Sequence, residues 1–149
     1  MIKLDRQTGP FWLDLVPGVR VEVEPISVAS MLIAREAVAK VLGSDAEAEE
    51  GDADIGDARD TNARASVALV RELCLRGIKR WEGVGDADGE PAPVTPENVG
   101  ALLDVWQVYD ALDLHYVTPA LRRGAEKNEL KKPPAGTSGA APNTALPAA

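Results

Sequence analysis

The chain has 149 residues, of which 45% are apolar but only 4% aromatic, so its length predicts one domain with a mainly aliphatic core. The net charge of −8 argues against nucleic acid and anionic membranes as partners, because both select clustered Lys and Arg. No apolar run reaches the roughly 20 residues of a membrane span, and the amino terminus lacks a signal-peptide core. The single cysteine, Cys74, cannot form an internal disulfide and fits a reducing cytoplasm.

A β-hairpin is predicted over residues 11–24. Apolar and polar residues alternate on both sides of Pro17-Gly18, which is a typical hairpin turn. The face of the second strand formed by Val19, Val21 and Val23 is expected to be buried. Trp12 falls on the side of its strand opposite Phe11, where it would cover the second face of the hairpin or form a contact surface.

Apolar residues at three- and four-residue spacing predict helices over about 28–42, 61–80, 96–116 and 119–130. The expected buried stripe of the first helix is Val28, Met31, Leu32, Val38, Val41 and Leu42. That of the second helix is Val67, Val70, Cys74 and Ile78. Thr95 and Pro96 are typical of a helix start. One face of the third helix is expected to carry Val99, Leu102, Leu103, Trp106, Tyr109, Leu112 and Tyr116. Gly43 is expected to end the first helix, and Thr118-Pro119 the third.

Two segments are predicted to lack regular structure. Residues 44–60 contain eight acidic residues against one basic residue, Arg59, and such a charged, Ala- and Gly-rich stretch predicts a flexible loop. Residues 133–149 carry no charge and are rich in Pro and Ala, which predicts a disordered tail. We therefore expect an α+β fold in which residues 1–132 form a single domain and the hairpin packs on three or four helices.

No catalytic, cofactor or metal site is predicted. His115, the single histidine, has no paired nucleophile in the sequence, and Cys74 falls on an apolar stripe where a buried thiol is the commoner role. The segments 52–56 and 86–89 resemble parts of a calcium loop but lack its remaining ligands. An Asp-Gly turn explains residues 86–89 better, because Asp bonds its own backbone and Gly accepts a positive φ.

Four aromatic residues are candidates for binding a partner: Trp12, Trp81, Trp106 and Tyr109. Burial in the core is the commoner role for a tryptophan on a helix, but tryptophan is also enriched where proteins bind one another. We expect Trp81 and the face of the third helix to border an apolar groove for an amphipathic segment of another protein.

The carboxy-terminal half of the chain resembles the tail assembly chaperones and related small tail proteins of long-tailed bacteriophages, prophages and gene transfer agents. The resemblance extends from about Val67 to Asn143. The segments that carry it are Arg80-Trp81-Glu82-Gly83-Val84, Asp86-Ala87-Asp88-Gly89, Pro91 to Asn98, Leu102-Leu103, Tyr116, Glu126-Lys127-Asn128, Gly136-Thr137-Ser138 and Pro142-Asn143.

This resemblance implies a non-enzymatic protein of the host cytoplasm that holds the tape measure protein in solution until tail tube subunits assemble around it. The tape measure protein, and with it the tail tube protein, are then the expected partners, and self-association stays open. A structural minor tail or tail-tip protein of the virion is the alternative. A small enzyme is a third class, which would need a site built from residues that are unremarkable in the sequence.

Overall fold

The computed structural model describes residues 9–48 and 55–129, together with Met1 and Leu4. The elements in chain order are β1 (Phe11–Val16), β2 (Val19–Val23), α1 (Val28–Ala48), α2 (Ile55–Gly77), β3 (Ile78–Glu82), α3 (Pro96–Leu103), α4 (Trp106–Leu112), a π-helical segment (Asp113–Val117) and α5 (Thr118–Glu129). The fold is α+β, as the sequence predicts. The tail at 133–149 lies outside the described residues.

The predicted hairpin is present and forms two thirds of a three-stranded antiparallel sheet with β2 in the centre. The Pro17-Gly18 turn joins its strands, and Gly18 has the positive φ of 83° that such a turn requires. Val21 and Val23 are fully buried, which confirms the expected inner face of β2. Val19, near the turn, is only half-buried.

The third strand, β3, replaces the predicted end of the second helix. Helix α2 ends at Gly77 and residues Ile78–Glu82 pair with β2, so the prediction of helix to residue 80 is wrong. The main-chain N–H of Glu24 donates to the carbonyl of Gly77 at 2.9 Å and joins the end of α2 to the end of β2. One edge of β2 is left unpaired by β1 and can pair with another strand. Pairing of residues 78–82 with this edge outweighs the local helical pattern of residues 78–80.

Helices α1 and α2 extend into the segment that was predicted to be a flexible loop. Residues 44–48 and 55–60 are helical, whereas residues 49–54 lie outside the described part. Gly43 does not end α1, because a glycine costs a helix only about 1 kcal/mol and α1 packs along α2. Asp60 also pairs with Arg64 one turn later, at 3.2 Å, within α2.

The predicted third helix is broken in two. Thr95 caps α3 as expected, accepting a hydrogen bond from the N–H of Asn98 at 3.2 Å, with Pro96 in the first turn. The chain turns at Asp104 and Val105, and α4 starts at Trp106.

Thr118-Pro119 does not end the helical run either, since the π-helical segment continues directly into α5. A wider π turn immediately before a proline accommodates the missing N–H donor.

One core lies between the inner face of the sheet and the helices. Its fully buried side chains are Val21, Val23, Val70, Leu73, Cys74, Leu112 and Val117. Tyr116 closes the core beside the sheet: its ring contacts Phe11 edge-on, and its hydroxyl donates to the carbonyl of Glu24 at 2.7 Å. Gly77 lies against this hydroxyl, so the π-helical segment, α2 and β2 meet at one point.

Candidate functional site: an exposed aromatic face beside a rigid joint

Trp81 lies in strand β3 and not at a helix end as expected. Its backbone pairs with Val21 on the inner side of the sheet, and its ring is half-buried against the core. The indole N–H donates to the carbonyl of Ala92 at 2.7 Å. Trp81 therefore joins the sheet to the segment that leads into α3, and its one polar atom is already used within the chain.

The segment after Trp81 is held by a dense set of hydrogen bonds. One carboxylate oxygen of Asp86 accepts from the N–H groups of Asp88 and Glu90, at 2.9 and 3.0 Å. Gly89 has a φ of 82°, as the predicted Asp-Gly turn requires. The side-chain amide of Asn98 donates to the carbonyl of Pro93 at 2.8 Å. The carboxylate of Asp86 thus binds the backbone of its own turn, as the sequence predicts.

Trp106 and Tyr109 form an aromatic pair at the start of α4, in which Trp106 is exposed and Tyr109 is half-buried against the core. Their rings are stacked, with centroids 6.1 Å apart and planes 19° from parallel. The side chain of Trp106 is 67% exposed, so its expected burial in the core is wrong. The turn at residues 104–105 resets the helical phase, and this rotates Trp106 away from the buried face that Leu102 and Leu103 share.

Apolar and acidic side chains extend this surface. Leu114 is 54% exposed and follows Trp106 at twice the four-residue spacing that keeps side chains on one helical face. The carboxylates of Asp104, Asp110 and Asp113 lie along the same stretch of chain. Partial burial, and secondarily the negative charge of Asp113, raise the pKa of Tyr109. We name Trp106, Tyr109 and Leu114, with these three carboxylates, the aromatic face.

Trp12 lies on the opposite side of the sheet from Trp81. It pairs across the strands with Glu22, and the guanidinium groups of Arg20 and Arg80 lie 4.5 and 5.6 Å from its ring. Arg80 in turn bonds Glu22. A guanidinium group is attracted to the face of a tryptophan ring. The ring of Trp12 therefore already has contacts with side chains of its own sheet. The expected groove bordered by Trp81 and the third helix stays a prediction.

The candidate catalytic groups are dispersed. His115 is exposed in the π-helical segment, and Cys74 is fully buried, as expected for a structural thiol. Burial, with a smaller contribution from Asp113, raises the pKa of Cys74 to about 12. Within the described ranges, no three His, Cys, Asp or Glu side chains are grouped as metal ligands would be. No helix in the same ranges is long and apolar enough to cross a bilayer.

A second exposed surface was missed by the sequence reasoning. Val28, Leu32 and Leu42 were expected to be buried but are exposed, because α1 turns Met31, Ala34, Val38 and Val41 towards the protein instead. The first helix carries apolar residues at helical spacing on two sides. The prediction of one buried stripe had combined residues from both of these sides.

The comparisons with known proteins add no relative. No protein-family model matches the chain, and searches of curated proteins and of solved structures return no significant match.

Proposed function

We propose that the protein is a non-enzymatic tail assembly chaperone that binds an amphipathic helical segment of a tape measure protein in the host cytoplasm. The observation that carries this proposal is the exposed ring of Trp106, which is stacked on the half-buried Tyr109. Large aromatic side chains dominate the binding energy of many protein interfaces. An apolar helical stripe laid across such a surface is a common mode of peptide recognition.

The charge of the aromatic face defines the partner more closely. Asp113 lies near Tyr109, Asp104 and Asp110 belong to the same stretch of chain, and the whole chain has a net charge of −8. A bound segment that places Lys or Arg beside its apolar stripe would meet these carboxylates with opposite charge. The protein would shield the bound apolar stripe from water until tail tube subunits replace it. This holding function requires no covalent chemistry.

Binding to tape measure segments, measured by calorimetry, tests the aromatic face. Trp106→Ala should weaken binding at least tenfold, about 1.4 kcal/mol, because an exposed tryptophan at an interface centre is a typical hot spot. Trp12→Ala is the matched comparison, since it removes the same ring from the outer side of the sheet. Equal affinity of a folded Trp106→Ala variant and the wild type would refute the assignment. Loss with Trp12→Ala alone would move the site to the sheet.

A separate experiment distinguishes the alternative function, that of a structural minor tail protein. Mass spectrometry of purified particles should find no copies of a chaperone that leaves before the tail is complete. Stoichiometric copies in finished virions would favour the structural role, even if the aromatic face binds the tape measure protein.

A further inference from the structure

The ring of Trp106 has one covered face and one open face. Tyr109 stacks on the covered face, with ring centroids 6.1 Å apart and planes 19° from parallel. Tyr109 is half-buried against the core, so it holds the indole from below. Trp106 is nevertheless 67% exposed. The face of its indole that is turned away from Tyr109 is therefore accessible to another molecule.

A carboxylate lies one helical turn after this ring. Asp110 follows Trp106 by four residues within α4, and residues four apart are neighbours on the surface of a helix. Side chains on a helix are tilted towards its amino terminus, which directs Asp110 towards Trp106. Asp110 is exposed, and in the part of the chain that the structure describes it has no ion-pair partner. An open aromatic ring and an unpaired carboxylate are thus neighbours on one surface.

The outer side of the sheet shows which group such a pair attracts. There the guanidinium group of Arg20 lies 4.5 Å from the centre of the Trp12 ring, and its Nε donates to the carboxylate of Glu82 at 2.6 Å. One arginine therefore contacts a ring face and a carboxylate together. Among the described residues, no Lys or Arg lies over Trp106 in this way. Trp106 and Asp110 offer the same ring and carboxylate without the cation.

We propose that the open face of Trp106 binds an arginine side chain of the bound segment, whose guanidinium group also donates to Asp110. This inference rests on the proposed function, since the arginine belongs to the segment that the aromatic face binds. Arginine fits better than lysine, because a planar guanidinium group stacks on an indole while its edge donates to a carboxylate. The partner is then an amphipathic helix with an arginine beside its apolar stripe.

Calorimetry with matched synthetic helical peptides tests this site. The peptides share one apolar stripe and differ at a single position beside it, which is arginine, lysine or citrulline, the neutral analogue of arginine. That position is placed on either side of the stripe in turn. The arginine peptide should bind the wild-type chain about threefold to tenfold more tightly than the citrulline peptide, as expected for a partly exposed cation–π contact. The lysine peptide should have an intermediate affinity.

Variants of the chain locate the preference for arginine. Trp106→Leu keeps an apolar side chain but removes the ring, and Asp110→Asn removes the carboxylate, so each should lose most of the preference. Glu36→Gln removes the same charge from an exposed position of α1 and should keep it. The helical circular dichroism of each variant should match that of the wild type, because all three side chains are exposed.

The outcomes separate this inference from the proposed function. Equal affinity of the wild-type chain for the arginine and citrulline peptides, or an undiminished preference in Trp106→Leu, would overturn the arginine site. The proposed function would survive that result if Trp106→Ala still weakens the binding of tape measure segments. A preference for arginine that depends on Trp106, with tape measure segments bound equally by Trp106→Ala and the wild type, would support the arginine site and refute the assignment of the tape measure protein to it.

Discussion

At the residue scale, the three tryptophans have three different environments. Trp12 lies under two arginines on the outer side of the sheet, Trp81 is hydrogen-bonded inside the joint, and Trp106 is exposed on α4. Local signals in the sequence correctly predict the Asp86 turn and the Thr95 cap, because both depend on contacts within a few residues. They cannot predict that Trp106 is exposed, because this depends on a change of direction at Asp104.

Trp81→Phe should reduce stability and leave partner binding unchanged. The substitution keeps most of the ring but removes the N–H that donates to Ala92, a buried residue. An unsatisfied carbonyl costs about 1–3 kcal/mol, which urea denaturation would detect as a lower midpoint. Trp106→Phe is the control, since an exposed ring should change stability by less than about 0.5 kcal/mol. Equal midpoints for Trp81→Phe and the wild type would disprove the structural role of Trp81.

Cys74 predicts a loss of stability at alkaline pH. Burial raises its pKa from 9.0 to about 12 in the folded protein. The unfolded thiol releases its proton first, so above pH 9 the unfolded state is favoured progressively until the folded thiol also ionises. The free energy of unfolding should fall by at most about 1.4 kcal/mol per pH unit from this group. Cys74→Ala should flatten the fall between pH 9 and 10, and an equally steep fall in that variant would contradict the assignment.

At the element scale, the hairpin and the starts of α1 and α3 are predictable, whereas the start of α2 and the end of α2 are not. Alternation around Pro17-Gly18 defines both strands, because side-chain direction in a strand has a period of two. The end of α2 is different. Ile78 continues the apolar stripe of α2 at helical spacing, yet it is buried in β3. Two contacts end the helix before Ile78: the pairing of β3 with β2, and the close approach of Tyr116 to Gly77. Both contacts join residues that are distant in sequence.

Gly77→Ala tests this junction. A Cβ atom at Gly77 would lie 1.9 Å from the Tyr116 hydroxyl oxygen, which is itself bonded to Glu24. Since the ring cannot move without losing that bond, we expect a loss of more than about 2 kcal/mol in chemical denaturation. Gly43→Ala is the matched control, because its Cβ would meet nothing within 4 Å in α1. It should raise stability by about 0.5–1 kcal/mol. A neutral Gly77→Ala would mean that Tyr116 does not pack there.

At the scale of the whole molecule, the structural joint and the candidate binding surface are separate. The joint around Trp81 connects the sheet to the segment that leads into α3, and the aromatic face is the surface proposed to bind an amphipathic segment. Composition and net charge predict the class of partner, because they are properties of the whole chain. They do not predict which surface is exposed, since that depends on how α1 and α4 are rotated in the fold.

The soluble yield of a tape measure protein, co-expressed with this chain, tests the central claim most directly. If the proposed function holds, the wild-type chain should keep the tape measure protein in the soluble fraction, because the aromatic face would cover its apolar stripes. The Trp106→Ala variant, folded and equally abundant, should leave it in the pellet. The same soluble yield with the wild type, with Trp106→Ala and with no chain would contradict the account.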